Sequence, residues 1–210
     1  SKLEYLEPVN ARNDLVIQRF LQAAEMLQES AGEIVPVEIS IGGPLTIASF
    51  LREIELLLRD CRRNGDKVQK LLRIIVDSQK SCIDAFAQYG VGIAMADPVA
   101  NPALIGPKLY EKFVFPYTKE LTDYALEKTG KKVSLHMCGA TYSIWKYIEQ
   151  YQLNEISLDN IVDLDRAARE LGKKVPIAGN VDPVQSMLNG TKEEIFADVQ
   201  KCIELGNSAE

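Results

Sequence analysis

The residues best able to do chemistry in this sequence are His136 and Cys138, which flank Met137 and are followed by Gly139. In an extended segment, residues i and i+2 point the same way, so the imidazole and the thiol converge while Met137 turns aside. Imidazole and thiolate are zinc ligands, at roughly 2.0–2.1 and 2.3 Å respectively, and a catalytic zinc usually takes three protein groups and keeps a fourth position open. An isolated pair of this kind is more often a hydrogen-bonded core histidine beside an inert thiol. Two features move the reading towards function. His136 is the only histidine in 210 residues, and the pair falls at the end of a strand-like run, Lys132–Met137. Cys202 is a third ligand by type, but between Val199 and Leu205 it reads as packed inside a helix. Cys61 and Cys82 also fall in helical patterns and read as core or outer-ring residues, so a third ligand is expected beyond Glu210.

The elements that must position this pair alternate. Apolar, β-branched runs at about 35–41, 91–96, 132–137, 155–158 and 175–178 read as strands. Between them, helical periodicity covers about 45–63, 66–89, 108–129 with a kink at Pro116, 141–151 and 163–171. Helices at about 13–30 and 191–205 flank the set. The first carries Leu15, Phe20, Ala23, Ala24 and Leu27 as its apolar face. Asp163 is placed to cap its helix, and Gly130 and Gly172 to close theirs. Thr191 with Glu194 forms a capping box.

No hairpin turn joins the strands, so the pattern is α/β with a parallel sheet. Neither G-x-G-x-x-G nor a P-loop follows the first strand, which favours a (β/α)8 TIM barrel over an open nucleotide-binding sheet. Five strands cannot close a barrel that needs eight and about 250 residues, so the barrel is expected to be incomplete at one or both ends. No linker, repeat or low-complexity tract divides residues 1–210, which read as a single domain. The strands' apolar character fits burial under helices on one side and barrel core on the other.

In a barrel the strand C-termini share one mouth, where the catalytic groups sit. Reading the strand ends in order gives Gly42-Gly43-Pro44, Asp97, His136 with Cys138, Asp159, then Asn180 with Asp182. Taken singly, Asp159 and Asp182 could be no more than turn or cap residues. As a set they would face one concave surface. Asp97 and Asp159 are the candidate catalytic carboxylates, and Asn180, Asp182 and Tyr117 the candidate substrate contacts.

Composition narrows the partners. The chain carries 24 Lys+Arg against 30 Asp+Glu, a net charge of −6, with 46% hydrophobic residues. This is ordinary globular composition, and its acidic balance argues against a nucleic-acid or anionic-membrane partner. No run approaches a membrane span, and Ser1-Lys2-Leu3-Glu4-Tyr5 is no signal peptide. The start without Met suggests a shortened chain. Four scattered cysteines with no disulfide spacing point to a reducing, cytoplasmic setting, where the Asn189-Gly190-Thr191 sequon means little.

Several segments together resemble the uroporphyrinogen decarboxylase superfamily. They are Gly42-Gly43-Pro44-Leu45-Thr46-Ile47-Ala48, Phe113–Tyr117, Leu135–Gly139, Ile177–Pro183 and Leu188–Glu194, in matching order from Ile34 onward. The His-x-Cys-Gly pair, with Asp97-Pro98-Val99-Ala100, is similar to the cobamide-dependent methyltransferase branch, whose members use it to bind zinc; the decarboxylases proper use no metal. The resemblance implies a (β/α)8 barrel, His136 and Cys138 as zinc ligands, and a third ligand in a Gly-Cys motif after the next strand. It implies methyl transfer from a methylcorrinoid, carried by a partner corrinoid protein, to a small-molecule acceptor. That acceptor would be a coenzyme M-like thiol or tetrahydrofolate. Metal-free decarboxylation of uroporphyrinogen, and corrinoid-protein binding without catalysis, remain the competing expectations.

Overall fold

The computed structural model describes residues 2–206. Helix α1 (Leu15–Ala31) leads into strand β1 (Glu38–Gly42), followed by α2 (Pro44–Arg52), α3 (Ile54–Arg63), α4 (Gly65–Ala87) and β2 (Gly92–Ala96). Next come α5 (Pro102–Ile105), α6 (Pro107–Phe113), α7 (Phe115–Thr129) and β3 (Val133–Met137). The chain continues through α8 (Trp145–Ile148), β4 (Leu153–Leu158), α9 (Leu164–Glu170), β5 (Ile177–Ala178) and α10 (Lys192–Gly206).

The strands form one sheet in the order β1-β2-β3-β4-β5, every pair parallel. Each strand lies beside its sequence neighbour and the order never reverses. That is the progression of a (β/α)8 barrel, of which these are five consecutive strands, and not of a doubly wound sheet.

Side-chain alternation sorts the two faces. In β3, Val133, Leu135 and Met137 are buried, while Ser134 and His136 are half-buried on the opposite side. The buried set joins Ile93, Met95, Ile156 and Leu158 beneath a helical layer that includes Leu72, Ile75, Val76 and Leu121. The inner face departs from the expected apolar barrel core. Register aligns Gly42, Ala96, His136, Ser157 and Ala178 in one row, and Ser40, Ala94, Ser134 and Glu155 in the row below. Small and polar side chains therefore line the concave side, leaving room around a single imidazole.

Helix ends follow their local chemistry. Asp14 accepts the N–H groups of Val16 and Ile17 at 2.9 and 3.0 Å, and Asp163 accepts that of Arg166 at 3.1 Å. Gly130 closes α7 in the left-handed region (φ 68°), which a side chain would strain. Thr191 and Glu194 exchange the reciprocal bonds of a capping box.

Several boundaries differ from expectation. The helix expected over 45–63 is two helices that turn at Glu53, whose φ of 46° no regular helix allows. The kink expected at Pro116 is a break at Val114 (φ −119°, ψ −60°). Pro116 instead occupies the first turn of α7, where its missing N–H would have had no partner. The helix expected over 141–151 shrinks to a 3₁₀ turn, Tyr142–Ile144, and α8. On α1 only Leu21 and Ala24 are buried, whereas Leu15 is 80% and Phe20 56% exposed. Its periodicity was legible, but the stripe that packs on the described residues is rotated from the one expected.

A candidate metal centre at the ends of the third and fourth strands

His136 ends the inner row of β3, and Cys138 lies one step beyond that strand. Cys138 Sγ and His136 Nε2 are 3.4 Å apart. The opposite ring nitrogen, Nδ1, is 3.0 Å from Ser157 Oγ, directly across the β3–β4 pairing. That facing depends on a register shift at Val133/Ser134. Val133 pairs with Leu153, but Ser134 pairs with Glu155, so His136 meets Ser157 in place of Ile156.

Asp159, one residue past β4, holds the loop that carries Cys138. Its Oδ2 accepts the Gly139 N–H at 2.8 Å and its Oδ1 that of Ile161 at 3.2 Å. Asn180 in turn donates to the carbonyl oxygens of Asp159 and Val162, at 2.9 and 2.7 Å, tying the end of β5 to the same loop. Gly139 has φ 81°, and a Cβ there would collide with the Asn101 amide, so both backbone and space require glycine. Burial pushes the Cys138 thiol up, and the nearby Asp159 carboxylate adds to the effect. Without a cation beside it, Cys138 is a neutral thiol at pH 7.

The pair fits zinc. Tetrahedral coordination at the usual Zn–N and Zn–S lengths would separate the two donor atoms by about 3.6 Å, close to the 3.4 Å found. The soft sulfur and the imidazole nitrogen are the donor types that select this ion. Among the described residues no third His, Cys, Asp or Glu completes the set. Cys202 is half-buried in α10, lining a cavity of about 550 Å³ with Leu164, Ile177 and Val199.

The other expected site residues divide. Asp159 and Asn180 join His136 and Cys138, as the strand-end argument requires. Asp97 does not. The inner side of β2 carries Gly92, Ala94 and Ala96, so Asp97 has the parity of the outer face and is 1% exposed. Its Oδ1 accepts the Thr46 N–H at 3.0 Å and the Thr46 hydroxyl at 2.6 Å, fastening the first turn of α2. Gly43 is glycine because a Cβ there would overlap the Asp97 carboxyl. Burial pushes that carboxyl up to about 6, against the lowering by its hydrogen bonds to Thr46.

Asp182 sits on the rim as a cap. It accepts the N–H groups of Val184 and Gln185, both at 2.8 Å, and the Asn160 amide at 2.8 Å. Those bonds hold its carboxyl below the usual range. Tyr117 lies away from the strand ends, in the packing of α7 against α4, with Arg73 5.6 Å above its ring. Sequence reasoning missed Ser157 and Thr46, each of which bonds a partner far away in sequence.

Residues 1–210 match the family model described as Uroporphyrinogen decarboxylase (URO-D). The chain belongs to the uroporphyrinogen decarboxylase family. Within it, the chain is 31% identical over 191 residues to the methylcobamide:CoM methyltransferase MtbA of Methanosarcina mazei, covering 90% of this chain and 56% of that protein. It is 27% identical over 203 residues to uroporphyrinogen decarboxylase 2, chloroplastic, of Oryza sativa subsp. japonica, covering 89% and 49%. A solved methyltransferase from Methanosarcina mazei superimposes with a TM-score of 0.81 at 22% identity, covering 96% of this chain and 62% of that one, which shows the shared fold. The chain spans about half the length of the curated relatives it matches.

Proposed function

We propose that this family member is a zinc-dependent methyltransferase that moves a methyl group from a methylated corrinoid protein to a small acceptor, a coenzyme M-like thiol or tetrahydrofolate. The observation that carries the reading is the shared direction of His136 Nε2 and Cys138 Sγ, 3.4 Å apart on the concave face. The names of the methylcobamide:CoM methyltransferase relatives support the same branch of the family.

His136 and Cys138 would hold the zinc, which when bound supplies the charge that keeps an acceptor thiol deprotonated at neutral pH. Ser157 fixes the far side of the imidazole, and Asp159 fixes the backbone after Cys138. Gly139 makes room for the Asn101 amide beside the loop that carries Cys138. A methylcorrinoid carried by the partner would supply the methyl group: the acceptor atom would bond the methyl carbon as the cobalt–carbon bond breaks, and that bond's electron pair would remain with the corrinoid. Asn180 and the rim around Asp182 would contact the acceptor and the corrinoid protein. The free cysteines fit a reducing, cytoplasmic setting, and no described helix is long and apolar enough to cross a membrane.

The test is methyl transfer by the intact protein from a methylated corrinoid protein to coenzyme M, with zinc removed and restored. Transfer that disappears on chelation and returns with zinc is expected. Decarboxylation of uroporphyrinogen by the zinc-free protein, with no methyl transfer, would overturn the reading.

A further inference from the structure

We propose that Ser157 is a positioning residue that keeps the His136 ring proton on Nδ1, leaving Nε2 bare towards Cys138. The inference rests on the zinc reading above and adds a residue to it. An imidazole can offer a metal only the nitrogen that carries no proton, so the tautomer decides whether Nε2 is a ligand. Metal-bound histidines commonly donate their other N–H to a nearby acceptor, which fixes both tautomer and ring orientation.

Here Ser157 Oγ stands 3.0 Å from Nδ1 while Nε2 stands 3.4 Å from Cys138 Sγ, so the two ring nitrogens face opposite partners. The contact is built by the backbone. The register shift at Val133/Ser134 moves β4 by one residue, bringing a hydroxyl opposite His136 where the unshifted pairing would bring Ile156. Register also sets Ala96 on the other side of His136 and Ala178 beyond Ser157, and neither side chain can hydrogen-bond to the ring. The opposite network, with Ser157 donating to Nδ1 and Nε2–H donating to sulfur, would leave no lone pair for the ion.

The experiment compares the intact wild-type protein with Ser157→Ala and Ser157→Thr. Nitrogen-15 NMR of the metal-free protein reads the His136 tautomer, with the resonance assigned by its loss in His136→Gln. Zinc affinity is read by competition with a chelator, and the thermal midpoint is recorded beside it. The expected result is an Nδ1–H tautomer in wild type and Ser157→Thr. Ser157→Ala should shift towards Nε2–H and weaken zinc binding about 10- to 100-fold, at a midpoint close to wild type. A purely structural serine would move the midpoint and leave the tautomer alone. An Nδ1–H tautomer and unchanged zinc affinity in Ser157→Ala would overturn the proposal, as would an Nε2–H tautomer in wild type. A wild-type protein that shows the serine-dependent tautomer but binds no zinc would uphold the positioning role and defeat the zinc reading instead.

Discussion

The Asp159 carboxylate accepts the backbone N–H of Gly139 at 2.8 Å, so the end of β4 holds the loop that carries Cys138. A hydrogen bond to a charged acceptor contributes about 1.5–3 kcal/mol. Asp159→Ala should therefore lower stability by about that amount and weaken zinc binding, with Cys138 still present. Asp159→Asn keeps an acceptor oxygen and should fall between the two. Thermal unfolding and zinc titration of both variants check this, and equal zinc affinity in all three proteins would separate Asp159 from the metal centre.

Asp97 gives the fold an opposite pH signature to that of a paired carboxylate. Its folded carboxyl titrates at about 6, above the ordinary 3.8, because burial penalises the charge. Between these values the folded state holds a proton that the unfolded chain has released, so stability falls as pH rises through this window. Asp97→Asn should remove that slope while keeping an acceptor for Thr46. Denaturant midpoints of the two proteins between pH 3.5 and 7 give the comparison.

Glu120 should titrate the other way. Arg73 bonds both its oxygens at 2.7 Å and Lys80 bonds Oε1 at 2.6 Å, holding its carboxyl down at about 2. Its contribution is present above the ordinary value of 4.5 and is lost as pH falls towards 2. The side chain is 30% exposed, so the effect is screened and should shrink in high salt. Glu120→Gln should lose the acid-side slope of wild type at low ionic strength, read by the same midpoints.

Glu53 joins α2 to α3 at φ 46°, a region that disfavours any residue with a Cβ. Glu53→Gly should relieve strain of about 1 kcal/mol and raise the thermal midpoint by about 2–4 °C. An unchanged or lower midpoint would mean that the turn is not strained.

Much of the barrel was legible because its strands announce themselves twice, by apolar runs and by the helices between them. The His136–Cys138 pair was legible for a simpler reason, since i, i+2 spacing in a strand fixes a common side whatever surrounds it. Asp97 misled because a strand end alone does not set direction. Counting parity from Ala94 and Ala96 sends it outward to Thr46. Ser157 was invisible because its meeting with His136 depends on a one-residue shift between strands 20 residues apart, which no local pattern encodes. The polar inner face escaped notice for a related reason. Ser134, Glu155 and Ser157 look like interruptions of apolar runs until pairing aligns them.

Zinc content of Cys138→Ser in the intact protein, measured beside wild type at matched thermal midpoints, tests the central claim most directly. A hydroxyl is a poor substitute for a soft thiolate. Wild type is therefore predicted to hold about one zinc per chain, and Cys138→Ser to lose most of it together with methyl transfer. Undiminished zinc or full transfer in Cys138→Ser would contradict the account.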